Sequence, residues 1–179
     1  VNAKRCGEGF TPASTFKIPM SLLALERGAV KDVDVVLPWD GQNRMIESWN
    51  KDHSMRTAFA ALAVWFYQEM ARRVGEDAVL RSLVDFHYGN EIAGGRYDEF
   101  WLKGELKISP DQQVDFLRRM RDGELPVSKT TLDATLEIME LAKDDHTVLR
   151  AKTGWAAPEV GQDVGWFVGM LETDRKSVV

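Results

Sequence analysis

The chain has almost none of the residues from which disulfide frameworks and most zinc sites are built. Its only cysteine is Cys6, so neither an internal disulfide nor a cysteine-rich metal site can form. Its three histidines, His53, His87 and His146, are far apart and lack metal-ligand spacing. No metal site is predicted.

Long apolar runs and an excess of basic residues are also missing. No stretch approaches the roughly 20 apolar residues that span a bilayer, and the net charge of -5 argues against a nucleic-acid partner. The 44% apolar and 28% charged residues suit one globular domain of 179 residues, or a large part of one. The chain begins at Val1 and ends at Val179 just after a strand-like run, and we expect it to be incomplete at both ends.

The sequence pattern predicts helices first and strands last. Apolar spacing and end signals predict five helices, over residues 14–27, 54–74, 76–86, 109–123 and 128–142. Two strands follow, over 147–154 and 164–171, joined by a loop containing Pro158 and Gly161. Because two strands alone make a marginal sheet, further strands are expected beyond the chain ends.

The first helix begins with Ser14-Thr-Phe-Lys17. On a helix Ser14 and Lys17, three residues apart, share a face, so Lys17 could accept the proton of a nucleophilic Ser14. That role requires a lysine pKa lowered by apolar surroundings. The alternative is that Ser14 is an N-cap and Lys17 is solvated. A second Ser-x-x-Lys, Ser48 to Lys51, has no supporting context.

A second motif, Lys152-Thr-Gly154, lies inside the first predicted strand. Glycine is unfavourable there unless another backbone approaches closely. Lys152 and Thr153 would offer a cation and a hydroxyl to a substrate carboxylate. The pair Ser-x-x-Lys and Lys-Thr-Gly is the combination found in penicillin-recognising serine enzymes.

The chain resembles the class D (OXA-type) serine β-lactamases over essentially its whole length. The matching segments, in order, are Pro12-Ala-Ser-Thr-Phe-Lys-Ile-Pro19, Tyr88-Gly-Asn90, Gly94-Gly95, Phe100-Trp-Leu102, Leu106-Lys-Ile-Ser109 with Gln113 and Phe116, Lys152-Thr-Gly-Trp155, and Gly165-Trp-Phe-Val-Gly169. The resemblance implies a mixed α+β fold of the serine β-lactamase/transpeptidase type, in which a helical part packs beside an antiparallel sheet flanked by helices.

The resemblance also implies a mechanism. Ser14 would attack the β-lactam carbonyl, and the backbone N–H groups of Ser14 and Trp155 would hold the oxyanion. Lys17 would react with CO2 to become a carbamate base, with no other cofactor. The remaining site residues implied are the carbamate-pocket residues Val64 and Trp101, the substrate-binding residues Lys152, Thr153, Gly154 and Trp155, and the cleft-rim residues Ile46 and Trp49. Ordinary core packing is the alternative for Trp101.

The family's Ser-x-Val motif falls at Leu62-Ala-Val64, so a leucine replaces its serine. Leucine cannot bond to the lysines or relay a proton, so we expect slow acylation. A second gap is the family arginine for the substrate carboxylate, which cannot be assigned before Val179.

The leading prediction is thus a periplasmic or secreted hydrolase that binds a small-molecule β-lactam, with a homodimer as the candidate assembly. The runner-up is the penicillin-binding sensor domain of a membrane receptor, which is acylated without rapid release. A cell-wall transpeptidase is third, because it shares the two lysine motifs alone.

Overall fold

The structure is a computed structural model that describes residues 2–156, 163–173 and 177–178. Eight α-helices occur in this part of the chain: α1 (Ala3–Cys6), α2 (Lys17–Glu26), α3 (Met55–Ala61), α4 (Val64–Val74), α5 (Glu76–Asp85), α6 (Phe100–Lys103), α7 (Pro110–Arg121) and α8 (Lys129–Ile138). Four strands follow: β1 (Glu140–Lys143), β2 (Thr147–Ala156), β3 (Val164–Thr173) and β4 (Ser177–Val178). The predicted loop with Pro158 and Gly161 lies outside the described residues.

Helix α2 is central, and nearly all of its side chains are buried. A 3-10 turn, Ala13–Phe16, precedes it, so the helix predicted from residue 14 is tighter in its first turn. Pro19 explains the change, because a proline within a helix removes the hydrogen bond of its own N–H and distorts the turn before it. Ser14 is not an N-cap: Pro12 caps the 3-10 turn and Phe16 caps the helix.

The single helix predicted over residues 54–74 is wrong. Its start is correct, since Ser54 and Thr57 form a reciprocal capping box. The helix ends before Leu62, however, because the φ of Leu62 is 62°. There the N–H of Ala63 bonds to the carbonyl of Ala58. A left-handed residue at such a helix end is usually glycine. The apolar spacing therefore continued across a break that no glycine marked.

The sheet is antiparallel with strand order β1-β2-β3-β4. The helix predicted over 128–142 is too long, because α8 ends at Ile138 and residues 140–143 form β1. The pairing of β1 with β2 decides this, with Glu140 opposite Arg150 and Lys143 opposite Val148. The predicted hairpin is thus the middle of a four-stranded sheet.

One face of the sheet packs onto the helical part. Val168 and Met170 of β3 are buried, and the indole of Trp166 donates 2.9 Å to the carbonyl of Thr11. Helix α7 begins as predicted, with Ser109 and Gln112 in a capping box and Pro110 in its first turn. No helix in the described part of the chain is long and apolar enough to cross a bilayer.

Candidate active site

Ser14 and Lys17 meet at the junction of the 3-10 turn and α2. The Lys17 amine lies 3.1 Å from the Ser14 hydroxyl oxygen, and Lys17 is only 1% exposed. Ala13, just before the serine, has a φ of 49°. A non-glycine residue rarely adopts this conformation, and such strain clusters at functional sites. The reading of Lys17 as a solvated first-turn residue is wrong.

The surroundings of the Lys17 amine make it a base near neutral pH. Burial, followed by the nearby charge of Lys152, lowers its pKa from 10.5 to about 7. Its amine lies 5.2 Å from the centre of the Tyr67 ring. Tyr67 bonds to Ser21, whose hydroxyl donates to the backbone carbonyl of Lys17. Burial raises the pKa of Tyr67, so its hydroxyl stays neutral beside the lysine.

The predicted close approach at Gly154 is present. A Cβ there would lie 3.1 Å from the carbonyl of Pro12 and 3.2 Å from the N–H nitrogen of Thr15. Strand β2 is thus held directly against the turn that carries Ser14. Two hydrogen bonds hold the turn itself. The Thr15 hydroxyl donates to the carbonyl of Pro12, and the Gln113 side-chain amide donates to the Thr15 hydroxyl at 2.9 Å.

The other residues of the Lys-Thr-Gly-Trp segment alternate between the two faces of β2. Lys152 is 4% exposed, and its amine lies 5.2 Å from the centre of the Phe59 ring. Burial lowers its pKa to about 8. Thr153 is exposed, and Trp155 is 68% exposed with its indole donating to Asp163. A buried lysine with a lowered pKa and an exposed hydroxyl therefore adjoin the Ser14 turn.

Trp101 packs against the turn that carries Ser14, through Phe16. It is 1% exposed, and its ring stacks on Phe16 with centroids 5.2 Å apart. Its indole nitrogen is buried and has no hydrogen-bond partner among the residues that the structure describes. A buried N–H without an acceptor costs about 1–3 kcal/mol, so this indole is a candidate donor to a bound group. Core packing alone accounts for the ring and leaves the N–H unexplained.

Two of the three remaining predicted residues, Val64 and Trp49, lie at the break between α3 and α4. Val64 begins α4, three residues before Tyr67, so both project from the same face of the helix. The indole of Trp49 donates 2.8 Å to the carbonyl of Ala61, and Ile46 is 47% exposed. This hydrogen bond joins the loop that carries Ile46 and Trp49 to the end of α3. The other Ser-x-x-Lys forms no comparable pair, because Lys51 is exposed.

The matched Tyr88-Gly-Asn90 segment packs beside the Ser14 turn, and sequence reasoning missed Asp98. Tyr88, fully buried, packs edge-on against Phe16, and the carbonyl of Gly89 accepts from Gln112. Asp98 is 2% exposed and bonded by two arginines. Nothing in its local sequence distinguishes this aspartate from those on the surface.

Three comparisons place the chain. Residues 1–179 match the family model of the penicillin binding protein transpeptidase domain. The chain is 43% identical over 173 residues to β-lactamase OXA-48 of Klebsiella pneumoniae, covering 97% of this chain and 65% of that protein. It is 34% identical over 172 residues to the regulatory protein BlaR1 of Bacillus licheniformis, covering 96% of this chain and 28% of that protein.

The solved structures agree with these matches. The class D β-lactamase YbXI from Nostoc superposes with a TM-score of 0.96 at 44% identity, covering 99% of this chain and 74% of that one. The predicted mixed fold is thereby confirmed. The chain nevertheless spans slightly less than two thirds of the length of OXA-48. This chain belongs to the penicillin-binding protein transpeptidase family and, within it, to the class D β-lactamases.

Proposed function

We propose that this protein hydrolyses β-lactam antibiotics through an acyl-enzyme on Ser14. The observation that carries the proposal is the 3.1 Å contact between the Ser14 hydroxyl and a buried lysine amine. A serine hydroxyl becomes an effective nucleophile only when a neighbouring base takes its proton. With a pKa of about 7, Lys17 has a substantial neutral fraction at physiological pH.

Acylation forms a bond from the Ser14 oxygen to the lactam carbonyl carbon, and the ring C–N bond breaks. The serine proton is taken up at Lys17, and the leaving nitrogen receives a proton in turn. The backbone N–H groups of Ser14 and Trp155 are the proposed oxyanion donors. Water then attacks the acyl carbon and releases Ser14.

Substrate binding falls to the residues of β2. Lys152 supplies a cation for a carboxylate, and the exposed hydroxyl of Thr153 supplies a hydrogen bond. The exposed ring of Trp155 offers an apolar surface beside them. Ile46 and Trp49 stand at the proposed rim, on the loop bonded to Ala61.

The residues around Lys17 fit a CO2 adduct of its amine. Carbamate formation needs a neutral amine in a dry pocket, and Lys17 is 1% exposed with a lowered pKa. The unpartnered indole N–H of Trp101 is a donor without an acceptor. Val64 would line the pocket. As a carbamate on Lys17, CO2 would supply an anionic oxygen base in place of the amine nitrogen.

Leu62 is the feature expected to slow this chemistry. It occupies the place of a serine that relays a proton to the leaving nitrogen, and it has no polar atom. Loss of a positioned acid–base group typically costs about 100- to 10,000-fold in rate. We therefore propose a weakened enzyme whose acylation is slower than that of a Leu62→Ser variant.

A second function is favoured by one observation. The match to BlaR1, named a regulatory protein, covers 96% of this chain. A penicillin-sensing domain reacts once with β-lactam and keeps the acyl group, and slow chemistry at Leu62 suits that role. The match to OXA-48 covers a similar share of this chain at higher identity, so hydrolysis remains the leading proposal.

The deciding experiment counts product molecules per protein with a chromogenic cephalosporin in bicarbonate buffer. Many equivalents establish hydrolysis, whereas a single equivalent that stalls shows acylation without deacylation and makes the sensor function the leading proposal. Ser14→Ala is the control and should give no burst. If Ser14→Ala matches the parent, both proposals fail. Export to the periplasm or medium and homodimer formation are further proposals, tested by cell fractionation and sedimentation.

A further inference from the structure

Asp98 is a buried carboxylate that lies outside the Ser14 site. Its side chain is 3% exposed, although it lies in the loop just before α6. Arg72 of α4 bonds to Oδ2 at 2.7 and 2.9 Å, and Arg96 bonds to Oδ1 and Oδ2, both at 3.0 Å. Four charge-assisted bonds to one carboxylate are far more than a surface ion pair provides.

The two arginines play different parts. Arg96 is two residues away from Asp98 and only closes its own loop. Arg72 lies on α4, so its bonds join that helix to the segment that enters α6. Arg72 also lies 3.8 Å from Glu69 on its own helix, a weaker contact. The Arg72–Asp98 pair is therefore the bond between elements.

These two elements carry the two sides of the proposed CO2 pocket. Helix α4 begins with Val64 and places Tyr67 over the Lys17 amine. Helix α6 carries Trp101, three residues after Asp98, with its unpartnered indole N–H. A shift of α6 relative to α4 would therefore move the indole donor with respect to Lys17.

We propose that Asp98 is a positioning residue: by joining α4 to α6 through Arg72, it holds the Trp101 indole N–H where it stabilises CO2 bound to Lys17. The inference rests on the proposed carbamate of Lys17. Asp98 touches no reacting atom, and it acts through Trp101 alone. Outer-shell residues of this kind typically change ligand affinity by about 10- to 100-fold when they are altered.

The test measures carbamate directly, by the 13C NMR signal of the protein titrated with 13C-labelled bicarbonate. Asp98→Asn keeps the shape of the side chain and removes its charge. We expect the bicarbonate concentration for half-maximal signal to rise about 10-fold or more. Arg72→Met should reproduce the shift because it breaks the same link. Arg96→Met, which leaves α4 joined to α6, should shift it much less.

The matched control is Asp115→Asn. Asp115 also bonds to two arginines, at 2.8 Å to Arg119 and 3.1 Å to Arg118, but all three lie on α7. It should leave the titration unchanged. A thermal melt of each variant shows that the folded protein is being titrated. Arg72→Met serves as the second route if Asp98→Asn does not fold.

Each outcome decides a separate claim. No carbamate signal in the parent protein would remove the proposed lysine chemistry, and this inference with it. A parent signal with the same half-saturation in Asp98→Asn and Arg72→Met would overturn the positioning role alone. An equal shift in Asp115→Asn would also overturn it, since any lost ion pair would then suffice.

Discussion

Gly154 of β2 lies directly against the backbone of Thr15, the residue after the proposed nucleophile. A Cβ on Gly154 would stand 3.2 Å from the Thr15 nitrogen, 3.1 Å from its Cγ2 and 3.1 Å from the Pro12 carbonyl oxygen. These distances are too short for comfortable contact, so the turn would have to move by a few tenths of an ångström. The strand and the Ser14 turn are therefore adjusted to each other at this one residue.

Gly154→Ala should reduce acylation far more than stability. The added methyl pushes the turn that carries Ser14, and a misplaced nucleophile costs up to about 100-fold in rate. The measurement is the acylation rate, with a thermal melt beside it. Gly165→Ala on the neighbouring strand is the control, because no atom of the described residues lies within 4 Å of a Cβ there. Equal rates for the two variants would contradict the prediction.

Leu62→Ser should accelerate acylation by about 10-fold or more, because the hydroxyl can relay the proton that leucine cannot. Leu62→Ala separates this effect from loss of bulk at a residue whose φ is 62°. Single-turnover kinetics with the chromogenic substrate provide the comparison. If Ala and Ser accelerate acylation equally, side-chain bulk and not proton relay limits the parent protein.

Acylation without bicarbonate should have a bell-shaped pH profile with its maximum between about 7 and 8. The rising limb follows deprotonation of Lys17, whose pKa is about 7, and the falling limb follows loss of the Lys152 charge at about 8. The two amines interact, so the limbs belong to the pair. A rate still rising at pH 10 would show that Lys17 is not desolvated. The measurement is kcat/KM against pH.

The free energy of unfolding should rise with pH between about 7 and 10.5. Lys17 is neutral in the folded protein above its pKa of about 7 but stays protonated in the unfolded chain up to about 10.5. The unfolded state thus binds the extra proton in this window, and the free energy of unfolding increases with pH. Urea unfolding of Lys17→Met should reduce this slope, most clearly between about pH 7 and 8, while the lowered pKa of Lys152 maintains a rise above about pH 8. An unchanged slope in that variant would show that Lys17 does not contribute.

Trp101→Phe should abolish the stabilisation that bicarbonate gives. The phenyl ring can still stack on Phe16, but the unpartnered indole N–H is gone. A ligand that binds only the folded state raises its melting temperature, so the parent protein should melt higher in bicarbonate and the variant should not. Trp49→Phe, whose indole bonds to Ala61, is the control. The same bicarbonate response in parent and Trp101→Phe would contradict the role given to this N–H.

Local signals in the sequence were enough to place several features correctly. The capping boxes at Ser54 and Ser109 were readable because their bonds join residues three apart. The three-residue spacing of Ser14 and Lys17 likewise brings their side chains together. The class D resemblance, which rests on short motifs in a fixed order, correctly indicated the mixed fold.

Tertiary structure alone decided the rest. Residues 140–143 became a strand because β2 was available to pair with them, and apolar spacing could not distinguish that from more helix. Helix α3 ends at Leu62, in the left-handed conformation, although no glycine in the sequence indicates an end there. Asp98 is bonded by Arg72, 26 residues earlier, and no local pattern in the sequence indicates this pairing. The pKa of Lys17 falls because distant elements exclude water from its amine, and desolvation depends on everything packed around a group rather than on its neighbours in sequence.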